Sequence, residues 1–235
     1  MFKILNLAII AVAASGTSLS DRFKNAAKLQ DSQDWPNVTF PDNFRVDFTL
    51  NKVDNETQQL IQFQNTSSYQ LFDSQGNRIL TVTNTLSKDQ QTMEKFSIFA
   101  NLSTGQVTFI GKEQCNNMDI NHTISLSDLL AEIRDPEGFI TTYVGRVQLP
   151  YAGDIWFNQF SLSLLTASGI VFENIFFGED DGEFKYFNYE MDPDTVYKAS
   201  GMIPQTFTDE DFENYTTCNS PSETTPLSTA TLALY

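Results

Sequence analysis

From Phe44 onward the chain alternates apolar and polar residues. In FRVDFTLN, Phe44, Val46, Phe48 and Leu50 fall on one side and Arg45, Asp47 and Thr49 on the other, which is the period-two pattern of a half-buried antiparallel strand. The same signature recurs in LIQFQN, YQLFD, RILTVTN, KFSIF and QVTFI, and the turn clusters VDNET, DSQGN and NLSTGQ between them suit the hairpins of a meander. The period changes once, in SLSDLLAEIR. There Leu126, Leu129, Leu130 and Ile133 share one side, Ser125 or Ser127 can cap, Asp128 favours the positive N-terminal end, and Asp135-Pro136 ends the run. The pattern predicts one short amphipathic helix over 125–134. Strand-like segments then return as FITTYVGRV, DIWFNQFSLSLL, GIVFENIFF and EFKYFNYEM, broken at Pro150 to Gly153, Ala167 to Gly169 and Gly178 to Gly182.

The two ends read differently. MFKILNLAIIAVAA joins one Lys to an apolar run and then to small residues, the grammar of a secretory signal peptide. The run from Ile4 to Ala14 is far short of the roughly 20 apolar residues that cross a bilayer, so no transmembrane anchor is expected. Ala14 with Gly16, or Ser18 with Ser20, offer two cleavage frames, and the second starts the mature chain at Asp21. Residues 21–35 are polar with little periodicity and read as a lead-in helix or loop. Residues 219–235 are rich in Ser, Thr and Pro and read as a disordered tail. With no Pro/Gly/Ser linker inside it, 21–218 is expected to be a single β-rich domain, secreted to the extracellular space.

Charge narrows the choice of partner. The chain carries 30 acidic residues against 14 basic ones, a net charge of −16, and residues 1–20 hold one of the bases, Lys3, and no acid. Counterion release from a polyanion needs clustered Lys and Arg, and here they are scattered singly among acids, so nucleic acid is excluded and anionic lipid surfaces are disfavoured. Twenty Phe, eight Tyr and two Trp supply enough large apolar surface for a core. In an oxidising compartment the isolated pair Cys115 and Cys218 favours one disulfide, closing a loop of about 100 residues, over a metal site or a catalytic thiol. Six Asn-x-Ser/Thr sequons, at Asn37, Asn55, Asn65, Asn101, Asn121 and Asn214, are candidates for N-glycosylation.

The search for catalytic chemistry is negative, so the expectation is a protein that is not an enzyme. His122 is the single histidine and lies within the Asn121 sequon, so a triad, a dyad or a zinc site built on His would lack its partners. There is no GxSxG elbow, phosphate-binding glycine loop or dinucleotide fingerprint. The acids cluster in turns rather than on apolar strands, where burial would raise a pKa for acid catalysis. The runs Glu179 to Glu183, Asp192-Pro193-Asp194 and Asp209 to Asp211 offer oxygen ligands for Ca²⁺, yet none has EF-hand spacing, and solvated turns are the simpler reading. No other cofactor is indicated. The aromatic strands point elsewhere: a curled antiparallel sheet leaves a concave face to be filled by a helix, by its own side chains or by a guest. Phe44, Phe48, Phe63, Phe109, Trp156, Phe160 and Phe172 are the candidates to line it as a ligand pocket.

Four passages carry a family resemblance: the opening DWPNVTFPDNFRVDF, the NLSTGQVTFIGKEQC hairpin ending in Cys115, TTYVGRVQLPYAG after the helix, and the closing GMIPQTF with Cys218 downstream. Over most of residues 36–218 the chain resembles the ependymin-related secreted glycoproteins, whose curved half-barrel is shared with bacterial lipoprotein carriers. The resemblance implies a hydrophobic pocket, a lipid-like ligand, calcium-dependent behaviour, N-glycans, a homodimer, and a disulfide between Cys115 and Cys218. It departs from the family in holding fewer cysteines and a reduced proline-aromatic ending, Ile203-Pro204 and Phe207.

The expected architecture is therefore mainly β (α+β), a curved antiparallel sheet or half-barrel with a short helix closing its concave face. The expected function is non-enzymatic binding of a hydrophobic small molecule or lipid. The alternative is an extracellular-matrix or surface-coat glycoprotein with a solidly packed sheet, working through calcium or partner proteins.

Overall fold

The alternating segments become one antiparallel sheet of eleven strands. The computed structural model describes residues 35–86, 92–111, 114–119, 123, 125–134, 141–166 and 169–218. The segment read as a signal peptide, most of the expected lead-in segment, His122 and residues 219–235, read as a tail, lie outside these residues. The strands are β1 (Asn43–Val53), β2 (Leu60–Asp73), β3 (Arg78–Leu86), β4 (Met93–Asn101), β5 (Gln106–Ile110), β6 (Cys115–Asp119), β7 (Thr141–Gln148), β8 (Trp156–Thr166), β9 (Gly169–Gly178), β10 (Phe184–Tyr189) and β11 (Asp192–Pro204). Their order across the sheet is β6-β5-β4-β3-β2-β1-β11-β10-β9-β8-β7. β1 is therefore central, two meanders form wings on either side of it, and β6 and β7 are opposite edges of a sheet that does not close.

This order places the helix. The chain leaves β6 at one edge and re-enters at β7 on the other, so the connection holding α1 (Leu126–Glu132) must cross a face of the sheet. Ser125 caps α1 by accepting from the Asp128 N–H at 3.2 Å, and Leu126, Leu129, Leu130 and Ile133 pack into the core. The Leu126 N–H donates to Asn77 Oδ1 at 2.7 Å, just before β3. Past the other end of α1, the Ile133 carbonyl accepts from the Trp35 indole at 3.2 Å. Trp35 in turn packs on Tyr143 of β7 and Phe160 of β8, with ring centroids 6.1 and 5.5 Å away. Seven helical residues at 1.5 Å each span about 10 Å. On a flat sheet, β3 and β8 would lie six inter-strand steps, about 29 Å, apart. The sheet thus curls around α1, and the face that α1 covers is the concave one.

Alternation then divides the core. Phe72, Ile79, Ile98, Ala100, Phe160, Ile175, Phe177 and Phe187 point to the concave side and form one cluster with Phe44, Val46 and Phe48 of β1. Their neighbours point outward. On one wing Leu71, Leu80, Val82 and Phe99 are covered by the chain after β11, which lays Phe207, Phe212 and Tyr215 over them. That segment ends in a disulfide between Cys218 and Cys115 of β6, Cα atoms 5.5 Å apart. On the other wing Leu149, Phe157 and Phe176 pack with Tyr151 and Tyr186.

Three elements differ from the pattern-based expectation. LIQFQN and YQLFD are one strand, β2. Its register against β1 jumps from Thr49↔Ser67 to Asn51↔Gln62, so a long irregularity sits where the sequence shows a gap. The short polar strand β6 has no apolar alternation to reveal it. The largest difference is β11, where Asp192-Pro193-Asp194 begins a 13-residue strand paired with both β10 and β1 rather than forming a free acidic turn. Ser200-Gly201 lies inside this strand. In the sheet, Gly201 has φ 102° and sits at a register shift between Val46↔Met202 and Phe48↔Ala199, so the strand bends and continues.

Candidate functional site: the concave face

The seven aromatic residues expected to line a pocket separate into two groups. Phe44, Phe48 and Phe160 are fully buried on the concave side, and Phe109 is half-buried against them. Phe44 stacks on Phe72 at 4.5 Å, Phe48 meets Phe187 edge-on at 5.3 Å, and Phe160 meets Phe177 edge-on at 5.5 Å, giving an interior walled by rings. Phe63, Trp156 and Phe172 are exposed instead. Phe63 falls in the irregular part of β2. Trp156 is at the start of β8 under Arg146, whose guanidinium carbon is 4.7 Å from its ring and whose Nη2 reaches Glu179 at 2.6 Å.

Phe172 is on the other side of the sheet. β8 and β9 pair without a break from Phe157↔Gly178 to Thr166↔Gly169, so Phe172 shares the outer face with Asn174 and Phe176. The concave position next to it belongs to Glu173, paired with Leu162 of β8 and Tyr189 of β10. GIVFENIFF is apolar on both faces, and alternation cannot tell the two faces of such a run apart.

Glu173 corrects the expectation that the acids avoid apolar strands. It is 4% exposed, and burial holds its carboxyl well above the usual carboxylate range. Around it stand phenols rather than cations. Tyr189 is buried beside it, pushed up by desolvation and by Glu173. Tyr197, stacked on Phe187 at 4.2 Å, is pushed up to about 12 by desolvation, then by Glu173 and Asp192. Thr141 of β7 faces Leu162 from the other side. It is 3% exposed, and its hydroxyl has no hydrogen-bond partner. Tyr143 completes the polar points of this wing by donating to Asn158 Oδ1 at 3.0 Å. In sequence, the one signal for this group is an acid embedded in an apolar strand run.

The outer face of the same wing is satisfied by a ladder of amides. Gln159 donates to Asn174 Oδ1 at 3.1 Å, Asn174 to Asn188 Oδ1 at 3.1 Å, and Asn188 to the Pro193 carbonyl at 3.2 Å, joining β8 to β11. The acidic runs are tied into their own surroundings. Asp181 and Glu183 each meet Lys185 at 2.7 Å, and Asp211 accepts from the Thr208 N–H at 2.8 Å. Asp192 and Asp194 are exposed on β11. Among the described residues, no group of three or more His, Cys, Asp or Glu converges to hold a metal ion.

Of the sequon asparagines, Asn37, Asn55 and Asn214 are exposed and Asn101 is half-buried, while the Asn65 side chain and Asn121 lie outside the description. Among the described residues, no helix is long and apolar enough to cross a membrane. No protein-family model matches this chain, and no curated protein matches it closely enough to count as a relative.

Proposed function

We propose that this protein is a secreted, glycosylated, non-enzymatic carrier that holds a hydrophobic, lipid-like molecule on the concave face of its sheet. One observation carries the reading. A single open sheet curls so that rings from both wings face one another around a seven-residue helix, and polar atoms stand among the rings at a few fixed points only. That is the make-up of a small-molecule site, apolar walls with sparse polar groups that orient the guest. The ependymin-like passages favour the same class of ligand. The mechanism is burial alone: at ~25 cal/mol per Å² of apolar surface, hiding a few hundred Å² of an acyl chain contributes several kcal/mol before ordering costs.

The test is native mass spectrometry of the protein purified from its own cells, followed by lipid extraction. A stoichiometric apolar adduct supports the carrier. A clean, empty protein that also takes up no added long-chain lipid overturns it in favour of a matrix or surface-coat glycoprotein, with calcium titration as the next measurement.

A further inference from the structure

Four strands meet in one transverse row on the concave face. Thr141 of β7 is paired with Leu162 of β8, Leu162 with Glu173 of β9, and Glu173 with Tyr189 of β10. All four are buried, and all lie on the side that faces the ring-walled interior. The row is therefore a strip of an oxygen, an alkyl group, a carboxyl and a phenol crossing an otherwise apolar face of aliphatic and aromatic side chains.

Two features of this row are not accounted for by folding alone. Thr141 is 3% exposed, yet its hydroxyl meets no donor or acceptor, and a buried polar group left that way is destabilising. Valine would fill the same volume without that cost. Glu173 is 4% exposed on a strand whose other described concave residues are Ile175 and Phe177, and glutamine or leucine would sit there more easily. Thr141 and Glu173 are two strands apart, about 10 Å along the sheet, with Leu162 between them.

Resting on the carrier reading above, we propose that Thr141 and Glu173, with the Tyr189 phenol beside them, anchor the uncharged oxygen-bearing head of a long-chain alcohol, ester or protonated fatty acid. The polarity of the surroundings selects an uncharged head. The ion pairs among the described residues engage Arg45, Arg78, Arg146 and Lys185 with acids elsewhere, and none reaches the row. The other titratable groups near Glu173 are Tyr197 and Asp192 on β11, neither of them cationic at neutral pH. A phosphate head would meet acids and phenols without a compensating charge, whereas a hydroxyl can exchange hydrogen bonds with both the Thr141 hydroxyl and the Glu173 carboxyl.

The experiment compares ligands that differ only at the head. The full-length secreted protein, delipidated, is equilibrated with hexadecane, 1-hexadecanol, methyl palmitate and dipalmitoyl phosphatidate, and the bound fraction is measured by native mass spectrometry. Hexadecanol is expected to bind about three- to tenfold tighter than hexadecane, the worth of one or two buried hydrogen bonds. Thr141→Val, which keeps the shape of the side chain, reduces that preference severalfold, read as the ratio of hexadecanol to hexadecane bound by the same variant. Glu173→Leu removes it, and Glu173→Gln, still a neutral donor and acceptor, retains most of it.

Equal binding of hexadecane and hexadecanol by the wild-type protein would overturn the anchor and leave the carrier intact, and so would a preference for the phosphatidate. Uptake of none of the four ligands would overturn the carrier itself, and the anchor with it. Should Glu173→Leu fail to fold, the Thr141→Val ratio decides alone.

Discussion

The guanidinium carbon of Arg78 lies 4.0 Å from the centre of the Phe212 ring, while two of its nitrogens hold Asp73 and Asp209 at 2.7 Å each. Arg78 begins β3 and Phe212 belongs to the segment after β11, so this contact seats the C-terminal segment on the outer face. Phe212 is completely buried there against Phe99, with ring centroids 5.9 Å apart. Phe212→Ala is expected to cost about 3–5 kcal/mol in chemical denaturation, the range for removing a buried ring. Asp209, 97% exposed, is a contrast: Asp209→Asn should leave the unfolding midpoint nearly unmoved, because a solvated ion pair contributes little. Equal losses in the two variants would mean that the charge network, and not the ring, holds this segment down.

The disulfide secures the far end of the same segment. Cys115 and Cys218 are 103 residues apart, and tying them restricts the unfolded chain over nearly half its length. On the chain-entropy estimate, the Cys115→Ser, Cys218→Ser double variant loses about 4–5 kcal/mol. Reduction of the wild-type protein should produce a similar drop in unfolding midpoint, and the double variant should then be insensitive to reductant.

Glu173 gives stability a pH dependence of predictable sign. Its carboxyl is held above the ordinary value of 4.5 by burial, so the folded state keeps a proton that the unfolded chain releases. The folded protein therefore binds more protons in that window, and stability falls as pH rises from about 4.5 through the raised folded-state value. The titratable groups facing it are the Tyr189 and Tyr197 phenols, which stay neutral over the same range. Glu173→Gln should be close to wild type at pH 4 and more stable than wild type at pH 8, as read from paired denaturation curves. A constant difference at all pH values would show that Glu173 does not titrate on folding.

Two glycines with positive φ should respond differently to alanine. Gly182 has φ +64°, and a Cβ there would come within 2.7 Å of the Asn37 carbonyl oxygen. Gly153 has φ +75° and open space around it. Gly153, whose ψ of −151° completes a conformation populated essentially by glycine, loses about 1–3 kcal/mol to backbone strain on Gly153→Ala. Gly182→Ala adds a clash against main chain that cannot swing away, and should cost more than Gly153→Ala in the same thermal or chemical unfolding assay. It should also loosen the 35–40 segment from the turn after β9.

β1 is readable because it buries one face, whereas β3 and β4 bury residues on both. β1 shows the alternation directly, with Phe44, Val46, Phe48 and Leu50 buried and Arg45, Asp47 and Thr49 less so. Ser125 and the leucines of α1 announce a helix in the same local way. β11 is less legible because its start is acidic and its bend carries Ser-Gly, features that usually mark turns, and only pairing with β1 and β10 turns them into strand. The pocket residues divide for the same reason. Phe44, Phe48 and Phe160 sit in runs whose faces differ, whereas Phe172 and Glu173 sit in one apolar on both sides.

What the sequence alone determined is local: where the chain alternates, where it changes to a helical period, and that two cysteines were available to join. These properties depend on neighbours within a few residues, and side-chain burial follows from the strand period. What only the tertiary structure decided is which strands are neighbours, which face curls inward and which acid goes with it. β1 pairs with β11 across some 150 residues, and the curl depends on α1 and Trp35 bridging two wings that the chain order keeps far apart. One residue of register separates a buried Glu173 from a buried Phe172. That choice is made by the packing energy of the whole concave face, not by any short stretch of chain.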